Sequence, residues 1–342
     1  MVFWWLLPLI CGFSLFLTAV LRRYALARSM LDVPNGRSSH TVPTPRGGGV
    51  SIVVVFLASL AFLNSAGLVE LNFFVGTAGA GLLVAIIGFM DDHGHIAPKW
   101  RLLGHFGGAI WMLFWAAGLP PIEIAGFKVD LSWPGNIAAA IYLVWMLNLY
   151  NFMDGIDGIA SIEAITVCLA ACALYWMGGH QHLLWGPLLL ASAALGFLFW
   201  NFPPAKIFMG DAASGFMGII LGAFSLQAAR TEPDLLWSWL ILMGVFIVDA
   251  TFTLLKRLLR GDKVFEAHRS HAYQYAARQH GRHLPVTLAT ALINVFWLFP
   301  LALSVNILGL DGVLGVAIAY LPLIALAIRY RAGEPECTIA KC

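Results

Sequence analysis

The stretch "NIAAAIYLVWMLNLYNFMDGIDGIAS" (136–161) changes within a few residues from an apolar run to a cluster of polar side chains. The apolar part is typical of a membrane-spanning helix. The polar part supplies two amides and two carboxylates, Asn148, Asn151, Asp154 and Asp157. Such groups are expensive at membrane depth and usually serve a function. The stretch therefore predicts a helix that ends in a polar site at the membrane surface.

The composition of the whole chain favours a membrane protein. Of its 342 residues, 60% are hydrophobic and 11% are charged, and the mean hydropathy is +0.82, whereas a soluble domain carries about 25% charged residues. We predict an all-α, polytopic integral membrane protein that forms a single domain over 1–342, with about eleven transmembrane helices. The predicted spans are 2–21, 48–68, 71–90, 102–118, 135–153, 159–177, 183–199, 212–229, 236–255, 285–306 and 312–328.

The distribution of positive charge predicts the orientation. When the loops are numbered alternately from an external N-terminus, eighteen of the twenty Lys and Arg residues fall on one side. The other side holds only Lys128 and Arg230. Because cytoplasmic loops carry the excess of Lys and Arg, we predict a periplasmic N-terminus and a cytoplasmic C-terminus.

The predicted cytoplasmic loops also hold the unusual polar residues, and the external loops contain nothing comparable. Five segments that are distant in sequence contribute to this face, which indicates one composite site. These segments are "RSSHTVPTPRGGG" (37–49), "MDDHGHIAPKWR" (90–101), "NLYNFMDGIDG" (148–158), "NFPPAKIFMGDAASG" (201–215) and "KRLLRGDKVFEAHRSHAYQ" (256–274).

The residue types in these loops suggest a metal-bound pyrophosphate. Carboxylate and amide oxygens suit Mg²⁺, with Mn²⁺ as an alternative, and Mg²⁺ usually takes few protein ligands plus substrate phosphates. Basic side chains grip phosphate oxygens. The glycines of "RGGG", "DGIDG" and "FMGD" would let backbone approach such a ligand. The oxygen ligands in question are Asp91, Asp92, Asp154, Asp157, Asp211, Asn148 and Asn151, and the basic groups are Arg46, Lys99, Lys206, Arg257, His268, Arg269 and His271.

Each segment alone has a simpler interpretation. Asp91 and Asp92 could end a helix that faces water, and "DGIDG" could be a turn before a helix. "HRSH" (268–271) could be a cytoplasmic anchor. The five polar segments are much less common together than any one of them alone, so the composite site is the better explanation.

Taken together, the motifs resemble the polyprenyl-phosphate N-acetylhexosamine-1-phosphate transferases, the bacterial glycosyltransferase group 4 family. The resemblance rests on "DD" at 91–92, "NxxNxxDGxDG" at 148–158, "FMGD" at 208–211 and the histidine-rich fifth loop. It implies a multi-pass protein of the bacterial inner membrane with a cytoplasmic active site. It also implies transfer of a sugar-1-phosphate from a UDP-N-acetylhexosamine to undecaprenyl phosphate, with Mg²⁺ and release of UMP. The bilayer and a homodimer are further expected partners, and nucleic acid is not.

The resemblance also assigns roles to residues of this chain. Asn151 and Asp211 resemble the metal ligands, and Phe208 resembles the residue that stacks on uracil. The expected catalytic residues are Asp91, Asp92 and Asp154, the first two positioning and activating the lipid phosphate. The expected substrate-binding residues are Arg46, Asn148, Asp157, Phe208, Arg257, His268, Arg269 and His271.

The fifth loop departs from the pattern of many relatives. Where these read HxHH, this chain has His268, Arg269, Ser270 and His271. This difference favours the branch that starts O-antigen synthesis with UDP-GlcNAc or a 6-deoxy relative such as UDP-FucNAc or UDP-QuiNAc.

Two alternatives remain open. One is the UDP-MurNAc-pentapeptide phosphotransferase of peptidoglycan synthesis. The other is an ion-coupled transporter with an ion path through Asp154, Asp211 and Asp249. A transporter should hold its acidic residues near the bilayer midplane, whereas most of these acids lie at predicted helix ends. That placement favours the enzyme.

The predicted orientation can be tested by cysteine labelling in intact cells. Cysteines introduced at Ser38 and Arg282 should be shielded from an impermeant thiol reagent, because their loops are predicted to be cytoplasmic. A cysteine at Asp311 should be labelled. Labelling of the first two positions would overturn the topology.

Overall fold

The computed structural model describes residues 3–34, 42–94, 96–124, 126–263 and 268–335. Two short antiparallel hairpins join Leu31–Asp32 to Thr44–Pro45 (β1, β2) and Ile122–Ile124 to Phe127–Val129 (β3, β4). The rest of the regular structure is helical, as predicted. The α-helices are α1 (Leu6–Ala27), α2 (Val50–Ser65), α3 (Leu71–His93), α4 (Pro98–Trp115), α5 (Ser132–Met153), α6 (Ile159–Met177), α7 (Trp185–Asn201), α8 (Asp211–Thr231), α9 (Asp234–Leu242), α10 (Gly244–Leu259), α11 (Ala272–His280), α12 (Leu284–Ile293), α13 (Phe299–Leu308) and α14 (Gly312–Arg329).

Eight helical segments of the described chain are long and apolar enough to cross a membrane, or nine if α9 and α10 form one broken span. Two of the eight join shorter elements, namely Gln181–Asn201, which includes α7, and Leu284–Leu308, which includes α12 and α13. The protein is therefore a multi-pass membrane protein, and the predicted count of about eleven is not reached by these criteria. Two predicted spans account for the difference. One falls on α2, which has only 16 residues, and the other falls on α4, whose first turn carries Lys99 and Arg101.

The ninth predicted span, 236–255, is not one continuous helix. The axes of α9 and α10 differ by 72° across a break at Met243. Gly244 begins α10, and a Cβ atom there would lie 3.1 Å from the Tyr320 ring and 3.2 Å from Leu323, both in α14. Close packing against α14 accompanies the bend, and no proline marks it, so the local sequence carried no signal for it.

The most enclosed of the candidate spans is α8, with 94% of its apolar window buried. Two glycines let its neighbours approach it backbone to backbone. A Cβ atom at Gly88 of α3 would lie 2.5 Å from the Asp211 carbonyl oxygen, and one at Gly218 would lie 2.4 Å from the Met146 carbonyl oxygen of α5. These contacts bring the polar ends of α3 and α5 to the first turn of α8.

The contact between α3 and α8 makes a prediction about stability. Gly88→Ala should destabilise the protein by about 1–3 kcal/mol, because the added methyl group overlaps the α8 backbone. Gly107→Ala in α4 is the matched control, since its Cβ atom would meet nothing closer than Leu83 at 3.6 Å. Thermal unfolding in detergent measures both variants. Equal midpoints for the two would show that the helices are not in contact at Gly88.

Candidate active site

The carboxylate of Asp92, near the end of α3, closes the N-terminus of α8. Its two oxygens accept hydrogen bonds from the backbone N–H groups of Asp211 (3.2 Å) and Ala212 (3.4 Å). The first N–H groups of a helix lack partners within the helix and carry partial positive charge. The Arg46 guanidinium forms an ion pair with the same carboxylate, whose side chain is 3% exposed. Asp92 is thus buried as a fully engaged anion.

Arg46 reaches Asp92 because its segment pairs with the "FMGD" segment. The Phe208 N–H donates to the Pro45 carbonyl (2.8 Å), and the N–H groups of Gly48 and Gly49 donate to Phe208 (2.9 Å) and Met209 (3.0 Å). Protein atoms fill the space beside these glycines, so that a Cβ atom at either would lie within 3.0 Å of a neighbour. Gly48 and Gly49 therefore serve contact between chain segments, whereas a Cβ atom at Gly47 would meet nothing within 4 Å, so the approach of a ligand to Gly47 stays a prediction.

Asn151, at the end of α5, lies beside the first turn of α8. Its side-chain amide donates to Ser214 Oγ (2.9 Å) and to the Asp211 carboxylate. The next carboxylate along the chain, that of Asp154, accepts no hydrogen bond from the part of the chain that the structure describes. Burial raises the pKa of Asp154 well above its usual range, and the carboxylates of Asp211, Asp92 and Asp157 raise it further. This part of the site holds more negative charge than the protein compensates.

The donor set fits a hard divalent cation that is shared with a substrate. Among the described residues, no group of three or more His, Cys, Asp and Glu side chains is arranged to hold a metal ion. Mg²⁺ typically takes one or two carboxylates and completes its coordination with substrate phosphates and water. Asp211 and Asn151 supply oxygen atoms of that kind, and the excess of carboxylates favours a cation there.

Asp157 lies on the wall of a cavity of about 540 Å³. Its Oδ2 atom accepts from the Ala205 N–H (3.0 Å), and its Oδ1 atom lies 3.1 Å from His283 Nδ1. The Thr287 hydroxyl donates to its backbone carbonyl (2.8 Å). Phe208 lines the same cavity, and its predicted stacking on uracil stays a prediction. One fixed carboxylate and one aromatic ring therefore face a space the size of a nucleoside site.

The fifth loop packs against the end of α5. Asp249 in α10 accepts hydrogen bonds from the N–H groups of Ala272 and Tyr273 (2.9 Å each), the first residues of α11, and lies 3.3 Å from His271 Nδ1. The Tyr273 hydroxyl donates to the Phe152 carbonyl (2.9 Å). Asp249 thus caps α11, a helix that the sequence had indicated only as a basic loop.

His268 is a neutral member of this loop. Its ring centroid is 4.9 Å from that of His271, and its Nδ1 atom lies 2.9 Å from Ser270 Oγ. Burial, together with the neighbouring His271 and Arg257 side chains, lowers the pKa of His268 to about 3. At neutral pH this ring offers hydrogen bonds to a phosphate, but no charge.

The comparisons with known proteins identify the family of the chain. A family model described as glycosyl transferase family 4 matches residues 74–229. A phospho-N-acetylmuramoyl-pentapeptide-transferase from Streptococcus pneumoniae is 30% identical over 240 residues, which cover 65% of this chain and 71% of that protein. The chain belongs to glycosyl transferase family 4.

Two further relatives of this glycosyl transferase have names that mention a different sugar. A probable undecaprenyl-phosphate N-acetylglucosaminyl 1-phosphate transferase from Bacillus subtilis is 29% identical over 265 residues (76% of this chain, 73% of that protein). A decaprenyl-phosphate N-acetylglucosaminephosphotransferase from Mycolicibacterium smegmatis is 32% identical over 268 residues (70% and 66%). The family prediction made from the motifs is confirmed.

Some predicted residues of the glycosyl transferase have their described contacts elsewhere. Arg257 is buried and turns toward Asp262 (3.6 Å) and the Lys263 carbonyl (3.2 Å). The Arg269 carbonyl accepts from Arg278. The Asn148 amide donates back to Val144 (2.7 Å), although it lines a small cavity together with Asn151 and Asp211. Their contacts with substrate stay predictions.

Sequence reasoning missed two residues of the site. Arg101 pairs with Asp91 at 2.5 Å, and the Asp91 carboxylate also accepts from the Ile96 N–H (2.9 Å). His283, which lies 126 residues further along the chain, accepts a hydrogen bond from the Asp157 N–H at its Nδ1 atom. The basic character of "PKWR" gave a weak signal for Arg101. Nothing in the sequence distinguished His283 from its neighbours.

The uncompensated carboxylate makes a prediction about stability. Asp154→Asn should stabilise the metal-free protein by about 1–3 kcal/mol at neutral pH, because it removes a carboxyl group whose ionised form is disfavoured by burial and by neighbouring carboxylates and which accepts no hydrogen bond from the described residues. The gain should shrink as the pH falls toward about 4, where the carboxyl is protonated in both the folded and the unfolded state. Thermal unfolding in EDTA measures this gain in stability. Asp130→Asn, at an exposed position, is the control. A loss of stability in Asp154→Asn would contradict this account of the site.

Proposed function

We propose that this protein transfers N-acetylglucosamine 1-phosphate from UDP-GlcNAc to a polyprenyl phosphate, of which undecaprenyl phosphate is the bacterial example. The observation that carries the proposal is the continuity of one short segment. Phe208 lines the nucleoside-sized cavity, and three residues later Asp211 begins α8 inside the carboxylate cluster. A UDP-sugar has the same layout, since an aromatic base is followed by a diphosphate that binds metal.

The base is proposed to occupy the cavity beside Phe208. Ligand sites of about 300–1,000 Å³ are common, and this cavity falls in that range. The Phe208 ring offers a face for stacking. Asp157, fixed by Ala205 and His283, keeps lone pairs that can accept the uracil N–H, since each carboxylate oxygen accepts two hydrogen bonds. Arg282 lines the same cavity and is exposed, so its charge is available to the nucleotide phosphates.

The diphosphate is proposed to lie between Arg46 and the carboxylates. The Nε–H group of Arg46 is buried and has no hydrogen-bond partner among the described residues, while its other end is anchored by Asp92. It is a donor already positioned for a phosphate oxygen. Mg²⁺, held by Asp211 and Asn151, would neutralise charge on the diphosphate.

We favour direct attack of the lipid phosphate on the sugar phosphate. A lipid phosphate oxygen forms a bond to the β-phosphorus, and the bond from the β-phosphorus to the bridging oxygen breaks, so its electron pair leaves with UMP. A phosphate monoester carries nearly two charges at neutral pH and needs little help from a base. Positioning and electrostatics therefore supply most of the rate.

The acidic residues fit this route as groups that position other parts of the site. Asp92 is engaged by Arg46 and two backbone N–H groups, and Asp91 by Arg101 and the Ile96 N–H. A carboxylate with so many partners is a poor base. We propose that both carboxylates position the Arg46 and Arg101 side chains and the N-terminus of α8 around the reacting phosphates. Asp154 is proposed to face the reacting groups.

The site is proposed to face the cytoplasm of a bacterial cell, on the evidence of the positive charge in the same loops. Its product would be the first lipid-linked intermediate of an envelope polysaccharide, with O-antigen as the leading candidate. In the fifth loop, Ser270 occupies the place of a histidine and bonds His268. This favours a simple N-acetylhexosamine over the MurNAc-pentapeptide that another relative's name specifies.

The activity is tested with purified protein, undecaprenyl phosphate, Mg²⁺ and a panel of UDP-sugars. UDP-GlcNAc or a 6-deoxy relative should release UMP only when the lipid phosphate is present, and mass spectrometry should detect the lipid-linked sugar phosphate. Efficient turnover of UDP-MurNAc-pentapeptide would overturn the choice of sugar. Absence of lipid-dependent UMP release from every UDP-sugar would overturn the activity.

The proposed metal ligand makes a quantitative prediction. Asp211→Asn should lower kcat by about 10² to 10⁴, because it removes charge that stabilises the diphosphate in the transition state. Asp234→Asn, near the opposite end of α8, is the control and should keep its activity. Near-normal turnover of Asp211→Asn at saturating Mg²⁺ would place the metal elsewhere.

The proposed base site makes a second prediction. Phe208→Ala should raise the KM for UDP-GlcNAc about 5- to 150-fold, the range that corresponds to a stacking contribution of about 1–3 kcal/mol. Phe208→Tyr keeps an aromatic face and should stay close to the wild-type KM. If the alanine variant left KM unchanged, uracil would not stack on this ring.

A further inference from the structure

Glu163 is a carboxyl group in the membrane-spanning part of the protein with no role in the site described above. It lies in the second turn of α6 and is fully buried. Its Oε2 atom accepts a hydrogen bond from Asn294 Nδ2 (2.7 Å). Its Oε1 atom is buried and has no hydrogen-bond partner among the described residues. An unpaired carboxylate that is buried in the membrane-spanning part of a protein costs several kcal/mol or more. The protonation state of Glu163 therefore needs an explanation.

The orientation of the Asn294 side chain is fixed by its other neighbour. Its Nδ2 atom donates to Thr166 Oγ1 (2.8 Å) as well as to Glu163. The Thr166 hydroxyl donates its own proton to the Ile162 carbonyl (2.8 Å), so it can only accept from Asn294. If the amide were flipped, the Asn294 oxygen atom would lie against the oxygen atoms of Glu163 and Thr166. The Asn294 Oδ1 atom is therefore a second buried acceptor without a donor.

We propose that Glu163 is held as a neutral carboxylic acid and that its Oε1–H group donates to Asn294 Oδ1. The acid and the amide then form a reciprocal pair, with one hydrogen bond in each direction. One proton satisfies both unpartnered oxygens and removes the buried charge, which is the favoured outcome in a low-dielectric interior.

The pair joins three elements that carry the site. Glu163 belongs to α6, which begins directly after "DGIDG". Asn294 begins the π-helical turn Asn294–Leu298 that follows α12, and α12 starts next to His283. The Phe246 backbone amide, in the first turn of α10, also approaches the Glu163 carboxyl. That turn comes directly after the 72° break.

Glu163 is therefore a positioning residue. By joining α6, α12 and the start of α10, it fixes the helices that present Asp157, His283 and Asp249. Irregular π-helical turns often occur at functional sites, and this one places the Asn294 amide against the acid. Glu163 touches no reacting group and acts only through these helices.

The test compares two variants that differ in hydrogen bonding. Glu163→Gln has a donor and an acceptor where the neutral acid has them, so its thermal midpoint and its kcat/KM should match those of the wild type. Glu163→Leu leaves the Asn294 amide unpaired. It should unfold at a lower temperature and lose roughly ten- to a hundredfold in kcat/KM, because small displacements of a site have effects of this size.

The protonation state is read directly by infrared spectroscopy of the intact protein in detergent at neutral pH. The carbonyl band of protonated carboxylic acids should be present in the wild type and should lose the contribution of one group in Glu163→Gln. Only the kcat/KM arm rests on the proposed function, so a wrong substrate leaves the spectroscopic and unfolding results intact. A Glu163→Gln variant as unstable as Glu163→Leu, or unchanged infrared absorption in this band, would show that Glu163 is a carboxylate.

Discussion

The rest of the site depends on the hydrogen bonds between the Asp92 carboxylate and the first N–H groups of α8. A helix that starts inside a membrane protein presents N–H groups without partners, and leaving such groups unsatisfied is costly. Asp92 comes from α3 and meets that need at Asp211 and Ala212. Arg46 then balances its charge. One structural requirement thus joins three loops that are far apart in sequence.

The same arrangement creates the excess of charge that the proposed chemistry uses. Asp92 is compensated by its partners, but the carboxylates of Asp211, Asp92 and Asp157 all act on Asp154, which accepts no hydrogen bond from the described residues. Like charges that are held together in a medium of low dielectric repel one another, and this repulsion is a penalty on the metal-free protein. A divalent cation and the diphosphate that accompanies it would remove that penalty.

Much of this could be predicted from the sequence. The apolar runs located the helices, and the pattern of carboxylates and amides identified residues that the structure brings together at the start of α8, because these signals are local. The break between α9 and α10, the cap of α11 by Asp249 and the contact of His283 with Asp157 depend on packing between distant segments. The glycines of "RGGG" look like a ligand loop in sequence, yet a Cβ atom at Gly48 or Gly49 would meet protein atoms, and only Gly47 has open space beside it. The hydrogen bond between Glu163 and Asn294 could not be predicted from the sequence for the same reason, since the two residues are 131 positions apart.

The central claim is that the carboxylates around the start of α8 form one cation site that is completed by the sugar nucleotide. Titration of the purified protein with Mn²⁺, followed by electron paramagnetic resonance, measures this directly. The account predicts one site that Mg²⁺ displaces, that binds more tightly when UDP-GlcNAc is present, and that is lost in Asp211→Asn. Mn²⁺ binding that is unchanged by both the nucleotide and the substitution would contradict it.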